Sequence, residues 1–215
     1  MPVRKIPRNA RSLTGVVAGG TSDEFESSLE RDLILLLKFD PRLVTIESQP
    51  LRIPVPGAAR PYTPDVLATF RESDAMAEPA VWVYEVKYRN ELAEKWKELK
   101  PKFKAAIAFG KDHEFRFKIM TEVEIRTPYL ENVRFLTPYL REELIDERWR
   151  TILRTLEVLR EATPAELIAA SARSRRNQGR CLYVLWQMVA RRMIHADLSL
   201  PLTMKSALWT VGAAS

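Results

Sequence analysis

Tyr62-Thr63-Pro64-Asp65 and Tyr84-Glu85-Val86-Lys87 are the two stretches whose reading decides the fold. Each lies in a segment that reads as a strand, Tyr62–Phe70 and Val81–Lys87, rich in β-branched and aromatic residues. Side chains alternate faces along a strand, so Glu85 and Lys87 point the same way. If the strand carrying Asp65 is their neighbour, three charged groups converge on one face that would otherwise be core. Phosphodiester cleavage has a use for such a cluster. It needs a metal to bind the phosphate oxygen and to acidify a water. Asp65 and Glu85 are the candidate metal ligands, and the carbonyl of Val86, set beside them, is a further one. Lys87 can position or deprotonate the attacking water, or stabilise the growing negative charge. Taken alone the motif is weak, because Pro-Asp is a common turn pair and charged strand residues most often face solvent.

The surrounding order strengthens it. Upstream, a helix is expected from near Thr21 or Ser22, with Phe25, Leu29, Leu33, Leu36 and Leu37 on its apolar face, ending before Asp40-Pro41. Glu26 and Glu30 are four apart on one side of it. Glu30 sits deeper in the apolar pattern and is the candidate third carboxylate, with Glu26 as runner-up. Leu43–Glu47 reads as a strand, and Leu51–Val55 as a second, proline-broken edge strand. Downstream, Asn90–Phe109 reads as a helix with Leu92, Trp96, Leu99, Phe103 and Ile107 along one side, kinked or split at Pro101. Glu114–Met120 reads as a strand and Thr127–Tyr139 as a short helical or irregular segment. Helix, strands, Pro-Asp, Glu-x-Lys, helix is the order expected of an α/β restriction-endonuclease-like core, a mixed sheet flanked by helices.

After Pro138 strand signals nearly vanish. Glu142–Arg160 and Asn177–Ile194 read as amphipathic helices, the second with Leu182, Leu185, Trp186 and Val189 facing its core. Between them Thr163-Pro164-Ala165-Glu166 has the residues of a capping box with proline in the first turn. Two short apolar pieces follow, near Leu198–Leu202 and Leu208–Val211. The expected organisation is a flexible basic arm over 1–20, a catalytic domain over 21–140, and a small helical domain over 141–215.

Composition narrows the chemistry. The chain has 215 residues, 46% hydrophobic and 29% charged, which excludes collagen, low-complexity disorder and a membrane bundle. Its one cysteine, Cys181, excludes an internal disulfide, and with only two histidines a Cys/His zinc site is excluded as well. Any metal must be held by carboxylates, which suits Mg2+, with Mn2+ as substitute. The net charge of +6 is uneven. The arm holds Arg4, Lys5, Arg8 and Arg11 within its first twelve residues and no acid there, and the stretch after 140 is basic too. Basic ends fit a polyanionic partner such as DNA. Arg173, Arg175, Arg176 and Arg180 fall within eight residues, and Lys95 and Lys102 belong to a lysine-rich side of the helix after Glu-x-Lys; these six are the candidate DNA contacts. Trp96, Trp149, Trp186 and Trp209 read as core or interface, and Cys181 as core. The start has no apolar signal-peptide region and no apolar run approaches bilayer length, so a cytoplasmic protein is expected.

Several ordered motifs carry a narrower likeness. Glu26-Ser27-Ser28-Leu29-Glu30, Phe39-Asp40-Pro41, Ser48-Gln49-Pro50, Tyr62-Thr63-Pro64-Asp65, Glu85-Val86-Lys87, Met120-Thr121-Glu122 and Leu130-Glu131-Asn132 together resemble the TnsA endonuclease family of heteromeric cut-and-paste transposons. The likeness covers about residues 20–140. Over 141–215 the pattern is compatible with that family's helical, winged-helix-like C-terminal domain. The resemblance implies that Glu30 is the helix glutamate completing the active site, Asp65 the metal-binding aspartate, Glu85 the second ligand and Lys87 the catalytic lysine. It also implies cleavage of double-stranded DNA at the 5′ ends of a transposon. The implied partners are a DDE-type integrase, TnsB-like, which cuts and joins the 3′ ends, and a TnsC-like AAA+ ATPase. A phage head-completion, restriction or repair nuclease of the same fold, and a non-catalytic DNA-binding scaffold, are the readings left open.

Overall fold

A computed structural model describes residues 28–72, 78–140, 143–144 and 146–210. The basic arm and Glu26 lie outside them. The chain divides into two compact units, the first ending at Ile125 and the second beginning at Arg126.

In the first unit, α1 (Ser28–Phe39) buries Leu29, Leu33 and Leu37, a run at helical spacing. Four strands follow: β1 (Leu43–Ser48), β2 (Val66–Phe70), β3 (Ala80–Val86) and β4 (Phe115–Met120). They stand in the order β1-β2-β3-β4. The first three pair antiparallel, and β3 pairs with β4 in parallel. A parallel neighbour needs a long crossover, and α2 (Arg89–Asp112) supplies it. The sheet is therefore mixed, as expected. The short helix α3 (Glu122–Ile125) follows β4, and α1 packs against β1, β3 and α3. On the face covered by α2, Leu67 and Val83 meet Leu99, Phe103 and Ala106, with Ile53, Tyr62 and Phe115 completing the cluster.

Three local expectations are corrected. Leu51–Val55 is not a strand; only Ile53 bridges to Tyr62, because Pro50, Pro54 and Pro56 leave few donors for a ladder. The strand expected from Tyr62 starts at Val66, so Asp65 immediately precedes β2. Pro101 neither splits nor ends α2, which runs through it for 24 residues. Pro101 and Lys97 are both exposed, so water can serve the carbonyl that loses its donor. The apolar side of α2 is also narrower than its sequence suggests. Leu99 and Phe103 are buried, but Trp96 is 45% and Ile107 51% exposed.

The second unit is mainly helical: α4 (Pro128–Leu136), a 3-10 turn (Thr137–Leu140), α5 (Arg148–Leu159), α6 (Pro164–Ser171) and α7 (Arg175–Ala190). A two-stranded antiparallel pair, β5 (Glu161–Ala162) with β6 (Leu208–Trp209), joins the turn after α5 to the late chain and is the short strand pairing described in this unit. α5 starts at Arg148, later than expected, with Glu147 at its N-cap position; residues 141, 142 and 145 lie outside the described part. α7 begins two residues early, where the Ser174 side chain accepts from the Asn177 N–H at 3.3 Å. The capping box is present: the Glu166 N–H donates to the Thr163 hydroxyl at 3.2 Å, and the Thr163 N–H to Glu166 at 2.8 Å. The core takes Leu130, Val133, Leu136, Ile152, Leu156, Leu167, Val184, Leu185, Met188 and Leu208. Within it Asn132 uses its whole side-chain amide. It donates to the Leu198 and Leu200 carbonyls at 2.8 and 2.7 Å and accepts the Leu202 N–H at 2.9 Å. These bonds join α4 to the late chain, so packing divides the molecule after Ile125, earlier than the change of pattern near 140. Among the described residues no helix is long and apolar enough to cross a membrane.

Candidate active site

The register of β2 with β3 decides which side chains meet. Val66 pairs with Tyr84 and Leu67 with Val83, so continuing the ladder sets Asp65 opposite Glu85. The Asp65 N–H still donates to the Tyr84 carbonyl, at 3.2 Å. Pro64 is buried just before, where the lack of an N–H does no harm at a strand end. Asp65 and Glu85 are 6% and 3% exposed. Two buried like charges in direct opposition are unfavourable without a cation beside them.

Lys87 provides that cation. Its Nζ donates to the Val86 carbonyl at 3.1 Å and stands 3.4 Å from Glu85 Oε1 and 3.9 Å from Asp65 Oδ2. The same three oxygens are the candidate metal donors from the sequence. Asp65 Oδ2 also accepts the Val86 N–H at 2.7 Å, which fixes its carboxylate against β3. The Lys87 N–H bonds to the Met120 carbonyl at 3.1 Å, so the parallel partner β4 holds the lysine backbone in place.

The electrostatics follow from burial. Desolvation, then the Asp65 charge, push the Glu85 carboxyl up to about 7, against the pull of Lys87 and of a hydrogen bond from Tyr62. Burial pulls the Lys87 ammonium down, but the charges of Glu85 and Asp65 outweigh it and its pKa is raised. Tyr62 is pushed well above the usual phenol range, by burial first and then by Glu85. Its hydroxyl donates to Glu85 Oε2 at 2.5 Å.

Residues 40–122 match the family described as TnsA-like endonuclease, N-terminal, and residues 124–198 match the one described as TnsA endonuclease, C-terminal. The chain belongs to the TnsA-like endonuclease family. Along the chain the break between the two matched segments, at 122–124, falls next to the division of the compact units after Ile125. Asp65, Glu85, Val86 and Lys87 all lie within the TnsA-like N-terminal segment, and Glu30 precedes it. No curated protein matches the chain.

The remaining candidate residues divide. Glu30 is 7% exposed on α1, a helix that packs against β3, and Ser28 Oγ in its first turn stands 3.4 Å from the Tyr88 hydroxyl. Among the described residues, however, no three carboxylate, imidazole or thiol side chains form a metal-ligand group, so Glu30 does not make a third with Asp65 and Glu85. Lys95 and Lys102 are tied within α2, to Glu91 at 3.3 Å and to Glu98 at 2.7 Å. Arg173, Arg175, Arg176 and Arg180 are exposed, at the turn before α7 and along its first two turns. The residue that sequence reasoning missed is Tyr62. Strand alternation does not place it at the site, because a position three before Asp65 in a regular strand faces the opposite way. The chain ceases to be a regular strand before Val66, and this brings the phenol to the Glu85 side.

Proposed function

We propose that this chain is a Mg2+-dependent DNA endonuclease, the subunit of a heteromeric transposase that hydrolyses phosphodiesters at the 5′ ends of the transposon. The observation that carries the reading is the convergence of Asp65, Glu85, the Val86 carbonyl and Lys87 at one strand end. An all-oxygen donor set of two carboxylates and a carbonyl suits a hard cation and not a soft one. Once bound, Mg2+ would supply a Lewis acid for the phosphate oxygen and an acidified water.

The protein's own groups do the rest. Asp65, anchored by the Val86 N–H, and Glu85 present one oxygen each, and Val86 presents its carbonyl. Lys87 Nζ, raised above its ordinary pKa, is charged at neutral pH. It therefore orients the attacking water or stabilises charge on the phosphate, and does not act as a base. In this reading Glu30, on the helix α1 that packs against β3, is a further acidic group and not a direct metal ligand. The sheet order and the α2 crossover support a restriction-endonuclease-like core. The order α5, β5, α6, α7, β6 supports a winged-helix-like second unit that grips duplex DNA through Arg173, Arg175, Arg176 and Arg180, with Lys95 and Lys102 lending charge to α2. Family membership supports a DDE-type integrase and an AAA+ ATPase as partners.

The test uses duplex carrying a transposon end, with and without the integrase partner. Asp65→Ala and Lys87→Ala should each lower 5′ cleavage about 100-fold or more while DNA binding is retained. Mn2+ should replace Mg2+, and Ca2+ should bind without turnover. Cleavage that survives both substitutions, or that chelator leaves unchanged, contradicts the reading.

A further inference from the structure

Tyr62 is held on three sides. Its backbone makes both hydrogen bonds of an antiparallel bridge with Ile53, at 2.7 and 2.8 Å. Its ring meets Phe103 and Phe117 edge-on, at centroid distances of 6.3 and 6.5 Å. It is 7% exposed. A phenol so fixed cannot follow a moving partner. Its single proton is committed to Glu85 Oε2, and the other oxygen, Oε1, faces Lys87 Nζ.

A glutamate carboxylate turns readily about its last bond and, unheld, would present either oxygen or both. Here one oxygen is fixed by the phenol and the other is turned toward the point where Asp65 Oδ2 and the Val86 carbonyl also converge. We propose that Tyr62 is a positioning residue for the metal site: it holds Glu85 as a one-oxygen ligand with Oε1 aimed at the cation. This rests on the metal-dependent reading above. The competing explanation is that the bond merely gives a buried hydroxyl a partner, as buried tyrosines require. The two differ in what the hydroxyl does for cation binding.

The test is Mn2+ binding to the full-length protein without DNA, followed by electron paramagnetic resonance of the free ion. Four proteins complete a cycle: wild type, Tyr62→Phe, Glu85→Ala and the double variant. Tyr62→Phe keeps the ring and its edge contacts. Groups that hydrogen-bond to a metal ligand commonly contribute about 10- to 100-fold in affinity, so Tyr62→Phe should weaken Mn2+ binding about tenfold or more. In the Glu85→Ala background the same change should have no effect, because the oxygen it orients is gone. Equal Mn2+ affinity for wild type and Tyr62→Phe overturns the positioning role and leaves the metal site standing. An equal loss in both backgrounds also overturns it, since the effect would then come from general damage to the fold. Wild type that binds no Mn2+ removes the metal reading and this role with it.

Discussion

Asp65 and Glu85 face each other across β2 and β3, and the protein tolerates this by placing Lys87 Nζ within 3.9 Å of both. The arrangement makes stability depend on pH. Folding raises the Glu85 pKa from its ordinary 4.5 to about 7, so over that range the native state holds a proton that the unfolded chain releases. This contribution favours the fold most at the acid end and is lost as pH rises through about 7. For Glu85 alone the loss is on the order of 3 kcal/mol. Glu85→Gln keeps an acceptor for Tyr62 but cannot titrate, so it should abolish that component. Urea midpoints of wild type and Glu85→Gln, followed in chelator from pH 4.5 to 7, should diverge in favour of the variant as pH rises. A constant difference contradicts the account. The charged residues were legible in the sequence because strand alternation alone puts Glu85 and Lys87 on one face. Tyr62 was hidden because its position depends on where regular strand geometry stops, which is set by Pro64 and by the bridge to Ile53.

Elements show the same division between what periodicity reveals and what packing decides. β1, β3, β4, α2 and the capping box of α6 follow from local pattern, and the structure has them. The width of the buried face of α2 does not, because Trp96 and Ile107 sit at helical spacing with Leu99 and Phe103 yet remain largely exposed. Only the breadth of the sheet beneath decides how much of a helix it covers. Two helical glycines make the point testable. A Cβ at Gly110, in the last turn of α2, would stand 2.6 Å from the Phe115 backbone oxygen. α2 and β4 pack at that point because position 110 has no side chain. Gly110→Ala should therefore cost about 1–3 kcal/mol by chemical denaturation. Gly179 in α7 has nothing within 4 Å of the same added atom, and Gly179→Ala should stabilise by up to about 1 kcal/mol. Equal effects at the two positions would mean that the close approach of α2 to β4 does not limit residue 110.

The whole molecule separates its charges. From Arg126 onward the chain has 14 Arg and Lys against 9 Asp and Glu, a net +5 of the total +6. The unit with the carboxylate site is thus almost neutral, and the one with the arginine-rich turn is basic. Each phosphate neutralised by an arginine adds about 0.9 to the slope of log affinity against log salt. Replacing Arg173, Arg175, Arg176 and Arg180 by alanine should flatten that slope by up to about 3 to 4, read by fluorescence anisotropy on duplex DNA. An unchanged slope would remove the four arginines from the interface. The change of pattern near 140 is a local signal, whereas the compact units divide after Ile125. The bonds that place α4 with the second unit span 66 to 70 residues, and no local pattern signals contacts that distant. Asn132 also orders events on the ribosome. The first unit has all its strands once Ile125 has emerged and can fold while synthesis continues. The amide of Asn132 must wait for Leu202, and a buried amide without partners is costly. The helical unit therefore cannot complete its core until the chain has reached Leu202, after β1 to β4 of the first unit have been made.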